Sequence, residues 1–229
     1  MMKKTVLLFV ALFVVNSIFS QTKFGVKAGV NFASLSNVED SYADGTSWTI
    51  FEKDGMTTGF HAGVFTNIRF GKFFGFQPEL LFSMQGGKQL WYEHLVGGSG
   101  GIVAGPTMKY QLGYVQLPLL FEIKPVANLG ILIGPQFGLN ITRKTIYTYD
   151  GKSETYSGSN FYYFYDHGFI KTNADLVFGL QYTFKEKIMI GARYNPGLTN
   201  NLDGSYQDNW RFAKGWKSNV IQASLGYLF

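Results

Sequence analysis

There is no cysteine in the chain, so no disulfide framework holds it together and no thiol near the N-terminus offers a site for a lipid anchor. Charge is scarce as well: Asp, Glu, Lys and Arg make up 15% of the 229 residues, against roughly 25% in soluble domains. Past residue 20 no window of 18 apolar residues occurs, which excludes helical membrane spans. Excess charge of one sign is also missing. The formal net charge of +5 falls to +3 once Lys3 and Lys4 are set aside, too little to argue for a nucleic-acid partner. What the chain has instead is 28 Gly, 22 Phe and 14 Tyr, a composition that suits many strands, many turns and an apolar exterior with aromatic belts.

The N-terminal residues form a separate unit. A basic start at Lys3 and Lys4, an unbroken apolar run from Val6 to Val15, and then Asn16, Ser17 and Ser20 make the three-part pattern of a secretory signal. The run is too short to span a bilayer as a helix. The expected organisation is a signal peptide over 1–20, cleaved after Ser20, and one exported domain over 21–229. If that domain enters a membrane it does so as a closed sheet, because lipid satisfies no backbone polar group at an open edge.

Eight segments alternate apolar and polar residues with period two, the signature of strands that face lipid and lumen in turn. They run over Phe24–Ser34, Thr58–Phe70, Phe73–Gln85, about Lys109–Lys124, Asn128–Thr142, Phe169–Phe184, Lys187–Leu198, and from Asn219 to the terminus. In the fourth, Pro118 cannot donate to a ladder and predicts a bulge or a local break in pairing. The connections go long, short, long, short. About 23, 23, 26 and 20 residues alternate with Gly71-Lys72, Pro125-Val126-Ala127 and Lys185-Glu186. Short periplasmic turns and long outer loops give this rhythm for an even strand number. A sandwich has no reason to keep it. The expected fold is therefore all-β, an eight-stranded antiparallel up-and-down transmembrane β-barrel in a bacterial outer membrane. The long connections, with Gly97–Gly101, Tyr156–Asn160 and Asn200–Asp208 rich in Gly, Ser, Asn and Asp, read as irregular solvated chain. A soluble lipocalin-like barrel also has eight strands, but it requires an apolar lumen and a polar outside.

The opening Phe24-Gly25-Val26-Lys27-Ala28-Gly29-Val30-Asn31 behind the signal resembles the outer-membrane β-barrel or "porin family" proteins of Bacteroidetes, the group that includes PorT-like proteins. So do Gln77-Pro78-Glu79-Leu80, Tyr114-Val115-Gln116-Leu117-Pro118-Leu119-Leu120, Arg193-Tyr194-Asn195-Pro196-Gly197-Leu198-Thr199 and Gly226-Tyr227-Leu228-Phe229. The resemblance implies the fold and the compartment, and through the PorT-like members an accessory role in secretion. It carries no chemistry. Leu225, Tyr227 and Phe229, at alternate places to the end, are similar to the C-terminal signal read by the barrel-insertion machinery.

By the alternation, the lumen collects Lys27, His61, Arg69, Lys171 and Arg193 with Glu79, Glu122 and Asp175. Eight strands enclose a space just wide enough for side chains, so these groups must pair with one another and plug the barrel. A narrow polar pore or proton path is the alternative.

A catalytic reading has little to build on. His61 lies on an inner face, where a hydrogen-bonded structural role accounts for it; His94 reads as a loop residue whose acidic neighbour is Glu93. His167 follows Asp166, with Ser157 and Ser159 upstream, but sequence neighbours rarely form a dyad. Asp203, Ser205 and Asp208 beside Gly204 lack the ligand spacing and closing Glu of an EF-hand. No metal or cofactor is therefore expected, and no enzyme activity. The leading expectation is a non-catalytic barrel whose loop aromatics, Trp48, Trp91, Tyr147, Tyr149, Tyr162, Tyr163, Trp210 and Trp216, meet a protein, glycan or lipid partner. A small-solute channel and a lipid or peptide hydrolase follow.

Overall fold

A computed structural model describes residues 22–36, 40–43, 47–95, 102–157, 171–201 and 216–229. The proposed signal segment 1–20, Tyr162, Tyr163, Asp166, His167, Asp203, Ser205, Asp208 and Trp210 lie outside the described residues.

Period-two alternation produces strands throughout: β1 (Thr22–Ser36), β2 (Asp40–Ala43), β3 (Ser47–Lys53), β4 (Thr57–Phe70), β5 (Phe74–Leu95), β6 (Ile102–Val126), β7 (Leu129–Tyr149), β8 (Lys152–Ser157), β9 (Thr172–Phe184), β10 (Ile188–Pro196) and β11 (Lys217–Leu228). Eight of them close a ring in the order β1-β4-β5-β6-β7-β9-β10-β11, every pairing antiparallel. The seam joins the two ends of the chain, with β1 and β11 in register from Gly25 opposite Leu228 to Ser36 opposite Lys217.

The two faces of each stave are turned as a membrane requires. Phe24, Val64, Leu80, Phe121, Phe137, Leu180, Ile190 and Leu225 stand outward and exposed, while Lys27, His61, Gln77, Glu79, Gln116, Glu122, Gln181 and Arg193 are buried inside. That is the inverse of a soluble ligand-binding barrel.

The short connections sit at one end. Between β9 and β10, Lys185 and Glu186 both adopt left-handed backbone (φ 47° and 56°), and Lys187 N–H donates to the Phe184 carbonyl at 3.1 Å. This is the primed turn whose twist matches a hairpin. Glu186 also accepts Lys23 Nζ at 2.7 Å, and that hydrogen bond holds its carboxyl below the ordinary carboxylate range.

Pro118 breaks pairing without adding a residue. The β5–β6 ladder skips Glu79 and Leu80 and resumes at Leu81 opposite Gln116 in the same register. The bulge lies elsewhere: Gly113 faces Thr142 and Tyr114 faces Asn140, leaving Ile141 as the extra residue of β7. It reverses the alternation, so that Tyr147 packs inward against Trp216, Tyr110, Met108 and Leu35.

The expectation of irregular outer loops is corrected for the described parts of these connections, while Gly97–Gly101, 158–160 and 202–208 lie outside the described residues. β5, β6 and β7 continue past the ring, and with β2, β3 and β8 they build a protruding six-stranded sheet ordered β2-β3-β5-β6-β7-β8. β-Branched and aromatic runs such as Thr145-Ile146-Tyr147-Thr148-Tyr149 favour extended backbone. Asp150-Gly151, both with positive φ, closes the β7–β8 hairpin, and only the glycine adopts its φ of 72° without strain. His94, read as a loop residue, is part of β5, in register with Trp48 of β3.

Outward placement makes a direct prediction. Leu180, 54% exposed and between Ile131 and Ala192 on the neighbouring strands, lies mid-band. Leu180→Arg is expected to lower unfolding free energy in lipid vesicles by about 2–4 kcal/mol. Urea titration checks this, with Glu154→Arg on the protruding sheet expected to leave stability unchanged.

Candidate functional site

The lumen is the part of the molecule in which polar groups converge, and its centre is Glu79 on β5. Lys27 Nζ donates to Glu79 Oε2 at 2.7 Å, and Arg193 grips both carboxylate oxygens, Nη1 to Oε2 at 2.8 Å and Nη2 to Oε1 at 2.6 Å. Gln77 Nε2 adds a fourth donor at 2.7 Å from Oε1. All three charged side chains are essentially inaccessible to solvent. A buried carboxylate tolerates such a place because its lone pairs are filled and two cations face it; each cation is tolerable for the converse reason.

Gln77 carries the network toward the periplasmic end. Its Oε1 accepts Asn67 Nδ2 and Gln181 Nε2, each at 3.1 Å. Those amides also donate to Glu122, Gln181 at 2.6 Å and Asn67 at 2.8 Å, while Lys124 approaches the same carboxylate at 3.4 Å. Lys124 was not among the expected interior charges, although Glu122 and Lys124 share a face two residues apart.

Above Glu79 lies an amide layer. Asn31 Oδ1 faces His61 Nδ1 at 2.7 Å and accepts Gln222 Nε2 at 3.0 Å, and its Nδ2 donates to Ser83 Oγ at 3.0 Å. His61 therefore meets an amide, not a hydroxyl or carboxylate. On the opposite wall Asp175 accepts Gln136 Nε2 at 2.9 Å and Asn173 Nδ2 at 3.1 Å. The outer mouth is filled by Trp216, Tyr110, Met108 and Leu35, with the Tyr110 and Trp216 rings 5.1 Å apart.

Six of the eight expected interior charges, Lys27, His61, Glu79, Glu122, Asp175 and Arg193, are buried within the ring. Arg69 is half-buried at the periplasmic rim and makes no ion pair with a described carboxylate. Lys171 is a correction. It shares the parity of Asn173 and Asp175 but precedes the first residue of β9 and is exposed. Beyond the last rung of β9 its side chain is open to solvent, and an ammonium keeps its hydration there. Trp216 is the reverse correction, expected on an exposed loop and found 1% exposed inside the mouth. Leu225, Tyr227 and Phe229 face outward at the end of β11, the Tyr227 and Phe229 rings meeting edge to face 5.5 Å apart.

Glu79→Gln keeps the shape but leaves Lys27 and Arg193 facing each other uncompensated. It is expected to cost about 3–5 kcal/mol in urea unfolding of the folded barrel, and replacing all three residues by Met to recover most of that loss.

Comparison with known proteins bears on the whole chain. The family described as outer membrane protein beta-barrel domain matches residues 19–203. Neisserial surface protein A is 10% identical, with 90% of this chain and 97% of that chain covered at a TM-score of 0.47. Ail, the attachment invasion locus protein of Yersinia pestis, in complex with the heparin analogue sucrose octasulfate, is 15% identical over 91% and 99% of the two chains at 0.45. Pseudomonas aeruginosa OprG is 14% identical over 90% and 95% at 0.35. No curated protein matches the sequence. With eight antiparallel strands closed around an ionic lumen and a family match over most of its length, the chain belongs to the outer membrane protein β-barrel domain family, as a small barrel of the bacterial outer membrane.

Proposed function

We propose that this barrel is a non-catalytic surface protein whose lumen is sealed and whose protruding sheet binds a partner outside the cell. The observation that carries the reading is the pairing of two features on one scaffold. Buried ion pairs at the level of Glu79 and the packing of Trp216 with Tyr110 at the mouth support a lumen that opposes solute passage. The six-stranded sheet continues the barrel wall beyond the apolar band, and among the described residues it ends in the short strands β2 and β8. A terminal strand offers backbone donors and acceptors to an extended segment of another chain, and the exposed residues of β8 offer side-chain contacts beside them.

The outward apolar row Leu225, Tyr227 and Phe229 supports its use as the insertion signal, and the apolar band supports outer-membrane lipid as the surrounding partner. An accessory role in secretion, as in PorT-like proteins of Bacteroidetes, has the sequence resemblance as its sole support.

In planar bilayers the full-length barrel is expected to give no stepwise conductance. Replacing residues 144–157 by a two-residue turn should preserve heat-modifiable gel mobility while abolishing binding to arrays of surface glycans and extended peptides. Single-channel openings in the unaltered protein would move the assignment to a small-solute channel, and array binding that survives the deletion would remove β8 from the recognition surface.

A further inference from the structure

Most buried charges of the lumen have a counter-charge; among the described residues Asp175 has none. Its carboxylate is 4% exposed and is met by amide groups alone, Gln136 Nε2 and Asn173 Nδ2, and no described cation lies within ion-pair distance. Arg193 pairs with Glu79 and stands opposite Gly179, four residues along β9 from Asp175, about 13 Å at strand rise. A buried carboxylate compensated by neutral amides alone is costly.

The surroundings of Asp175 are rich in oxygens that nothing donates to. Gln136 Oε1, Asn173 Oδ1, Asn195 Oδ1 and both amide atoms of Gln116 are buried without a hydrogen-bond partner. These side chains form one arc over the adjacent strands β6, β7, β9 and β10. Gln116 is in register with Gly138, Gly138 with Asn173, and Gln136 with Asp175; Asp175 in turn bridges Gly197, two residues beyond Asn195. Gly138 makes room for the arrangement: a Cβ there would collide with Asn173 Oδ1, which leans over it toward the Gln116 stave.

We propose that Asp175, Gln136, Asn173 and Gln116 form a cation site in the outer half of the lumen, and that its ligand is Ca²⁺. The donor set is oxygen only, one carboxylate with primary amides. Rotating the Gln136 or Asn173 amide by a half-turn leaves its shape unchanged and turns its oxygen toward the space beside Asp175. Ca²⁺ accepts roughly 6–8 oxygens in irregular geometry, water among them, whereas Mg²⁺ demands a near-ideal octahedron. Asp175 is the one carboxylate in the proposed ligand set, so a single formal charge from that set faces the ion. That places the dissociation constant on the order of 10⁻⁴–10⁻³ M, the range of extracellular calcium modules. The ion supplies the missing counter-charge and ties the three neighbouring staves β6, β7 and β9 together just beneath the mouth.

The test uses the full chain folded in detergent and stripped with chelator. Terbium titration excited through aromatic residues reports on the site, because the Tyr114 ring lies 3.4 Å from where a Cβ at Gly138 would stand. Saturable sensitised emission, displaced by Ca²⁺, is expected. Asp175→Asn should weaken it by about tenfold or more and Gln136→Ala by about threefold, with folding confirmed by heat-modifiable mobility. Glu186→Gln in the periplasmic turn should change nothing. If Asp175→Asn does not fold, the Gln136→Ala and Gln116→Ala titrations decide. Absence of saturable binding up to about 10 mM Ca²⁺, or unchanged affinity in the folded variants, overturns the proposal.

Discussion

Lipid offers no hydrogen bond to a bare N–H or C=O, and the seam between β1 and β11 is where that constraint is met. Eleven strands are described and eight close, and the closure depends on a register that runs unbroken from Gly25–Leu228 to Ser36–Lys217. A slip of one residue at that seam would turn Phe24, Val26 and Val30 into the lumen and Lys27 and Asn31 into the bilayer. The outward apolar row and the inward polar row of each stave therefore stand or fall together.

Closure at eight strands also dictates the lumen. The enclosed space is too narrow for water-filled separation of charges, so side chains from staves far apart in sequence are pressed into contact. Glu79 meets Lys27 across 52 positions and Arg193 across 114. Gln77, Asn67 and Gln181 then relay hydrogen bonds from Glu79 to Glu122. A network of this kind is rigid because each member is held by several partners, and such rigidity suits a plug better than a conduit. Asp175 stands apart from it, on a wall lined by amides.

Outside the apolar band the same sheet behaves differently. There water can satisfy backbone groups, closure is no longer obligatory, and the extra residue Ile141 lets β7 change the face it presents. Tyr147 turns inward to pack on the Trp216 cluster, closing the mouth, while β8 and β2 carry the wall sideways into an open-edged sheet. A polar-packed interior and an elaborated exterior are thus two outcomes of one continuous set of ladders above and below a single boundary.

Much of this was legible in the chain itself. Alternation identified all eight ring strands and six of the eight charges expected inside them, because lipid and lumen impose opposite demands on neighbouring positions and leave a period of two in the sequence. The short turns, Gly71-Lys72 and Lys185-Glu186, were legible for the same local reason. Asp150-Gly151 was a hairpin signal too, hidden inside a long connection that reads as loop by composition. Lys171 and Trp216 were not legible, since parity says which way a side chain points and not whether the ring still surrounds it. The partners of Glu79, the amide surroundings of Asp175 and the burial of Trp216 were decided only by tertiary structure. They depend on which staves the closed ring brings face to face, and that distance across the lumen is not written in any local stretch of chain.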